Sequence, residues 1–166
     1  ALAANYLAGD GKFSKLCEKW LEETLGTRRA MLTPSCTAAL EMAALLLDIK
    51  PGDEVLVPAF TFVSTANAFA LRGARLIWVD IRPDTLNIDE ALVERKITKR
   101  TKAIVVVHYA GVGCEMLKIM DVARRRKIPV IEDNAHGLLG RYRGKPLGTF
   151  GALATQILGN YRLSLN

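Results

Sequence analysis

Asp133 and His136 stand three residues apart, just after the apolar run Val130-Ile131. An acid at the carboxyl end of a buried parallel strand sits where open α/β sheets bind ligands. Two readings fit Asp133. It caps the following turn, or it is a buried carboxylate that keeps a heterocyclic nitrogen protonated by favouring the charged form of its partner. His136 is a structural ring, or it bonds a ring oxygen or moves a proton beside Asp133.

A second cluster, Thr33-Pro34-Ser35-Cys36-Thr37, also follows an apolar stretch. Ser35, Cys36 and Thr37 should form the first turn of a helix. Free N–H groups and the dipole make such an end an anion site, although a plain Ser or Thr N-cap reads the same way. Phe60 and Phe62 belong to the core, or one of them stacks on a flat cofactor. Thr61, Ser64 and Thr65 add a polar lining. His108 ends another apolar run with a less defined role. A protonated ring nitrogen and a phosphate together suit pyridoxal phosphate, which needs that proton to act as an electron sink.

These residues need a frame. Apolar runs at Arg29–Thr33, Glu54–Val57, Arg75–Val79, Ala103–Val107 and Ile128–Glu132 are Val- and Ile-rich and read as buried strands. Helical spacing links them. Phe13, Leu16, Cys17, Trp20, Leu21 and Leu25 mark a first helix that Gly26 stops. Others are expected at about 37–48, 62–71 and 115–127. Asn87 with Glu90 gives a capping-box-like start to a fourth. The alternation predicts an α/β fold, one mostly parallel sheet with helices on both faces. Arg141–Gly148 reads as a turn or hairpin, followed by a strand near Ala152–Ile157. Residues 157–166 carry no clear pattern and form an atypical C-terminal tail to a domain spanning 1–156.

The composition narrows the function. Half of the 166 residues are hydrophobic and 24% are charged, so the chain is globular. The net charge of +6 comes from scattered residues apart from Arg124-Arg125-Arg126-Lys127, which reads as a solvated helix end. No aromatics interleave with it, so no nucleic-acid partner is expected. No apolar run reaches membrane-spanning length. Three dispersed cysteines without a CxxC pair give no zinc site or disulfide framework, and a cytoplasmic setting is expected. The spacings of P-loops, nucleophile elbows and HExxH sites are absent.

In this order the segments resemble the nucleotide-sugar aminotransferases of the DegT type. The carriers are Thr33–Thr37, Pro51-Gly52-Asp53-Glu54-Val55, Thr61-Phe62-Val63-Ser64-Thr65-Ala66-Asn67-Ala68, His108-Tyr109-Ala110-Gly111, Glu132–His136 and Gly148-Thr149-Phe150-Gly151. The stretch Ala43–Ile49 adds a likeness to TDP-4-amino-4,6-dideoxygalactose transaminases. The resemblance implies part of the large domain of a type I aminotransferase-like fold, a homodimer and pyridoxal 5'-phosphate. It implies amino transfer from L-glutamate to a TDP-4-keto-6-deoxyglucose type of sugar nucleotide. By position, Asp133 would bind the pyridine nitrogen and His136 the phenolic oxygen. Phe62 would stack on the ring, and Ser35, Cys36 and Thr37 would meet the phosphate, mainly through backbone N–H.

One departure stands out. The family's Schiff-base lysine is expected shortly after the Gly148–Gly151 segment, yet by offset Arg162 falls there and no lysine follows Lys145. Arginine stays protonated and cannot take that role. The expectation is therefore a truncated aminotransferase, inactive by itself. The alternative is a non-catalytic remnant or partner subunit that binds cofactor, sugar nucleotide or an intact protomer.

Overall fold

In the computed structural model of the chain, residues 9–157 and the backbone of 163–165 are described. Helix α1 (Lys12–Leu25) ends at Gly26, whose φ of 67° is the left-handed cap expected of glycine. Strand β1 (Arg29–Met31) leads to α2 (Cys36–Leu46), and β2 (Glu54–Pro58) to α3 (Val63–Ala70). Then come β3 (Arg75–Val79), α4 (Glu90–Lys96), β4 (Thr101–Val107), a 3-10 turn (Tyr109–Gly111) and α5 (Met116–Arg126). Strand β5 (Val130–Asn134) precedes a small antiparallel hairpin, β6 (Arg141–Tyr142) with β7 (Lys145–Pro146). Strands β8 (Leu153–Gln156) and β9 (Leu163–Leu165) complete the sheet.

The sheet order is β1-β9-β8-β5-β4-β2-β3. Strands β3, β2, β4, β5 and β8 are mutually parallel, while β9 runs antiparallel to both β8 and β1. Side chains alternate between faces along each strand. Val55, Val57, Val105 and Ile131 pack under α2 and α3, against Leu40, Ala43 and Phe69. Leu56, Ile104, Val106 and Val130 pack under α4 and α5, against Val93, Met116 and Ile119. Each fully buried Leu, Ile or Val contributes about 1.5–3 kcal/mol, and both faces are lined with them.

Several expectations are corrected. The fourth helix begins with Asp89, whose carboxylate accepts from Ala91 N at 2.9 Å; Asn87 is not its cap. Asn87 lies outside the helix because Ile81 and Ile88 form an isolated antiparallel bridge there. On α1 only Leu21 and Leu25 are buried, against Ala30 and Leu138; Phe13, Leu16 and Trp20 are exposed. Strand β5 extends through Asp133 and Asn134, so the acid lies within the strand and not after it. The patternless tail contributes β9 to the sheet. Arg162 lies outside the described residues.

Candidate active site

Two neighbouring acids on β5 point to opposite faces. Asp133 shares the α2/α3 face with Ile131, while Glu132 shares the α4/α5 face with Val130. Glu132 is fully buried. Its Oε1 accepts from the N–H groups of Phe150 and Gly151, both at 2.7 Å. Its Oε2 accepts from Gly148 N at 2.9 Å and meets His108 Nε2 at 2.9 Å. His108 Nδ1 accepts from Cys114 N at 3.2 Å, so Nε2 carries the ring proton and donates to Glu132. His108 is thus a buried structural ring, and Glu132 fastens the 148–151 segment that feeds β8. A single carboxylate with four donors needs no further cation.

Asp133 is different. It is 4% exposed, and no cation pairs with it among the described residues. Its Oδ2 accepts from Thr65 Oγ1 at 2.7 Å, and Thr65 Oγ1 accepts from Thr61 Oγ1 at 2.8 Å. Its Oδ1 receives longer bonds from Ala135 N at 3.3 Å and from Thr155 Oγ1 at 3.4 Å. Burial pushes the Asp133 carboxyl above its ordinary value, against the pull of these donors and of His136. A carboxylate so placed favours a cationic partner.

The start of α2 adjoins Asp133. The Cys36 thiol bonds Thr155 and feels the Asp133 charge; burial first, then that charge, pushes it up to about 11. It is therefore a neutral filler and no nucleophile. Ser35 is the N-cap, and its Oγ accepts from Ala38 N at 3.0 Å. Ala39 N goes to the Ser35 carbonyl. Among the described residues, the N–H groups of Cys36 and Thr37 are left as the unpartnered donors of the first turn.

A cavity of about 530 Å³ opens over these groups. Cys36, Thr37, Phe62, Asp133 and His136 all line it; Ser35 does not, and its hydroxyl caps α2. Phe62 is 72% exposed, an aromatic face left open on the wall. The Tyr109 ring lies 4.8 Å from Phe60 and 5.8 Å from His136. Ala110, left-handed with φ 50°, donates its N–H to His136 Nδ1 at 3.2 Å, which leaves the His136 proton on Nε2. A Cβ on Gly111 would stand 3.1 Å from the His136 carbonyl, so glycine permits this approach.

Asn87 holds that turn from behind. Its Oδ1 accepts from Tyr109 N and its Nδ2 donates to Val112 O, both at 2.9 Å. No local pattern reveals this bridge, because it spans 22 and 25 residues. Among the described residues no group of His, Cys, Asp and Glu could hold a metal ion. No described helix is long and apolar enough to cross a membrane.

Among the described residues, two N–H donors without a partner, an open aromatic face and a buried carboxylate without a paired Lys or Arg fit the phosphate, the flat ring and the ring nitrogen of one cofactor. The sequence matches the DegT/DnrJ/EryC1/StrS aminotransferase family over residues 1–156. The chain belongs to that family. The family's cofactor is pyridoxal 5'-phosphate, and the residues present fit it. The chain is 43% identical, over 150 residues, to UDP-4-amino-4-deoxy-L-arabinose–oxoglutarate aminotransferase of Shewanella sediminis, covering 90% of this chain and 38% of that protein. It is 41% identical over 150 residues to GDP-perosamine synthase of Caulobacter vibrioides, covering 90% and 40%. The solved structure of NtdA from Bacillus subtilis with bound cofactor PMP superposes with a TM-score of 0.89 at 32% identity, covering 100% of this chain and 39% of that one. The chain thus spans about two fifths of these relatives' length.

Proposed function

We propose that this chain forms the cofactor-binding part of a sugar aminotransferase. The reaction moves an amino group from L-glutamate to a nucleotide-linked keto-deoxysugar of the TDP-4-keto-6-deoxyglucose type. The working enzyme is a cytoplasmic homodimer serving polysaccharide synthesis. The observation that carries the reading is Asp133, a buried carboxylate at the carboxyl end of β5 with no Lys or Arg paired to it among the described residues. When bound, pyridoxal phosphate supplies an electron sink for the amino group's carbon.

Each lining residue has a defined part. Asp133 holds the proton on the ring nitrogen. Phe62 covers a ring face. The N–H groups of Cys36 and Thr37 receive the phosphate at the positive end of α2. His136 donates its Nε2 proton to the phenolic oxygen. The name of the Shewanella relative includes oxoglutarate, which supports glutamate as the donor.

A second reading applies to the chain by itself: it binds cofactor without turnover. Every lysine of the sequence lies among the described residues, and none lines the cavity. A lysine that carries the cofactor must come from outside these residues.

Spectroscopic titration with pyridoxal phosphate tests the proposal. Saturable binding that falls at least tenfold, about 1.4 kcal/mol, in Asp133→Asn supports it. Equal affinity in the two proteins contradicts it.

A further inference from the structure

Thr65 has no place in the scheme above, yet it is fully buried and makes the shortest bond to Asp133. We propose that Thr65, backed by Thr61, is a positioning residue that holds Asp133 ionised and reserves its Oδ1 for the ring N–H. This rests on the cofactor reading of the pocket.

Each threonine hydroxyl has one proton to donate. Thr65 donates to Asp133 Oδ2 at 2.7 Å and accepts from Thr61 at 2.8 Å. That polarity suits an ionised carboxylate. A proton on Oδ2 would turn both hydroxyls round, and a proton on Oδ1 would leave Oδ2 a weaker, neutral acceptor. Bonds to a charged acceptor are roughly twice as strong as neutral ones, so the relay favours the ionised form. Burial pulls the other way and raises the carboxyl. The relay opposes it, with Ala135 N–H, His136 and Thr155 as the further opposing groups.

Geometry adds the second half. Oδ2 is saturated by a short bond, while Oδ1 has only the 3.3 and 3.4 Å partners, at the weak end of the range. Oδ1 is the oxygen with capacity to spare. The titratable groups facing Asp133 are the Cys36 thiol from α2 and His136 from the loop after β5. Helix α3 and strands β4 and β8 present Thr65, Val107 and Thr155. No other side chain on α3 bonds the carboxylate, so Thr65 is the element's one handle on it among the described residues.

The test follows the Asp133 side-chain carboxyl by carbon-13 NMR in the cofactor-free chain, with Asp133→Asn to assign the resonance. Thr65→Val removes the donor at nearly constant shape. Its expected effect is a rise of the Asp133 midpoint by about one pH unit, a tenfold change in proton affinity. Thr65→Ser restores the wild-type value. Thr61→Val gives a smaller rise and carries the test if Thr65→Val does not fold. Unchanged midpoints overturn the proposal. In a second arm, the Thr65→Val chain binds pyridoxal phosphate about tenfold more weakly, and the deficit grows as pH falls. If even the wild-type chain binds none, the cofactor reading fails while the carboxyl titration still decides the relay.

Discussion

The Glu132 carboxylate and the His108 ring meet at 2.9 Å in full burial, on the sheet face opposite Asp133. Neighbouring acids on one strand therefore do different work. Glu132 is satisfied four times over by protein donors, while Asp133 pairs with no Lys or Arg among the described residues.

Glu132→Gln should destabilise the fold. Glutamine keeps one accepting oxygen and turns the other into a donor, facing N–H groups that already need acceptors. Orphaned buried donors cost about 1–3 kcal/mol each, so a loss on the order of 3 kcal/mol is expected in denaturant melts. A change below about 0.5 kcal/mol, the size of an ordinary surface substitution, would rule out the clamp.

The opposite sign is expected at Asp133. Its folded carboxyl lies above the ordinary 3.8, so the folded state binds more protons than the unfolded one in the range above that value. Stability from this group is present at lower pH and is lost as pH rises through its raised midpoint. Asp133→Asn removes that loss. The cofactor-free variant should be more stable than wild type at neutral pH, with the gap closing toward acid. Paired melts across pH read this directly, and a variant equally or less stable at neutral pH contradicts it.

Backbone packing gives a further test. A Cβ on Gly151 would clash with the Val130 carbonyl, inside the clamp set by Glu132. Gly151→Ala forces a shift between β5 and the segment entering β8. A loss of about 1–3 kcal/mol is expected in thermal or denaturant melts. Wild-type stability would show that the two segments move apart freely.

Ser35 should matter through its cap and not through direct ligand contact. Ser35→Ala is expected to cost about 1 kcal/mol, and Ser35→Gly only a few tenths. Thr37→Pro removes one of the two free N–H donors and should weaken pyridoxal phosphate binding more than Ser35→Gly does. Isothermal titration of both variants separates the roles. Equal losses would show that the Ser35 hydroxyl itself meets the ligand.

Much of the site was legible in the sequence, for local reasons. Apolar runs located the strands, and Asp133 and His136 were placed at the carboxyl edge of one of them, although Asp133 lies inside β5. The Ser35-Cys36-Thr37 turn marked the start of α2. What escaped depends on distant partners. Glu132 looks like one more strand residue until residues 108 and 148–151 fold onto it. Asn87 matched a capping pattern, but its bonds run to Tyr109 and Val112. Strand β9 is three residues long and has no periodicity to detect; pairing with β8 and β1 defines it.

The lysine question has its own test. The chain is mixed with pyridoxal phosphate, treated with borohydride and weighed by mass spectrometry. No stoichiometric adduct on a single lysine is expected, because none lines the cavity. One such adduct, with glutamate-dependent turnover, would show that this chain carries the reaction alone.

The most direct measurement is a crystal structure of the chain with pyridoxal phosphate. The account predicts the phosphate on the N–H groups of Cys36 and Thr37, the ring against Phe62, and its nitrogen bonded to Asp133 Oδ1. A phosphate bound away from the start of α2, or a ring nitrogen turned from Asp133, would contradict it.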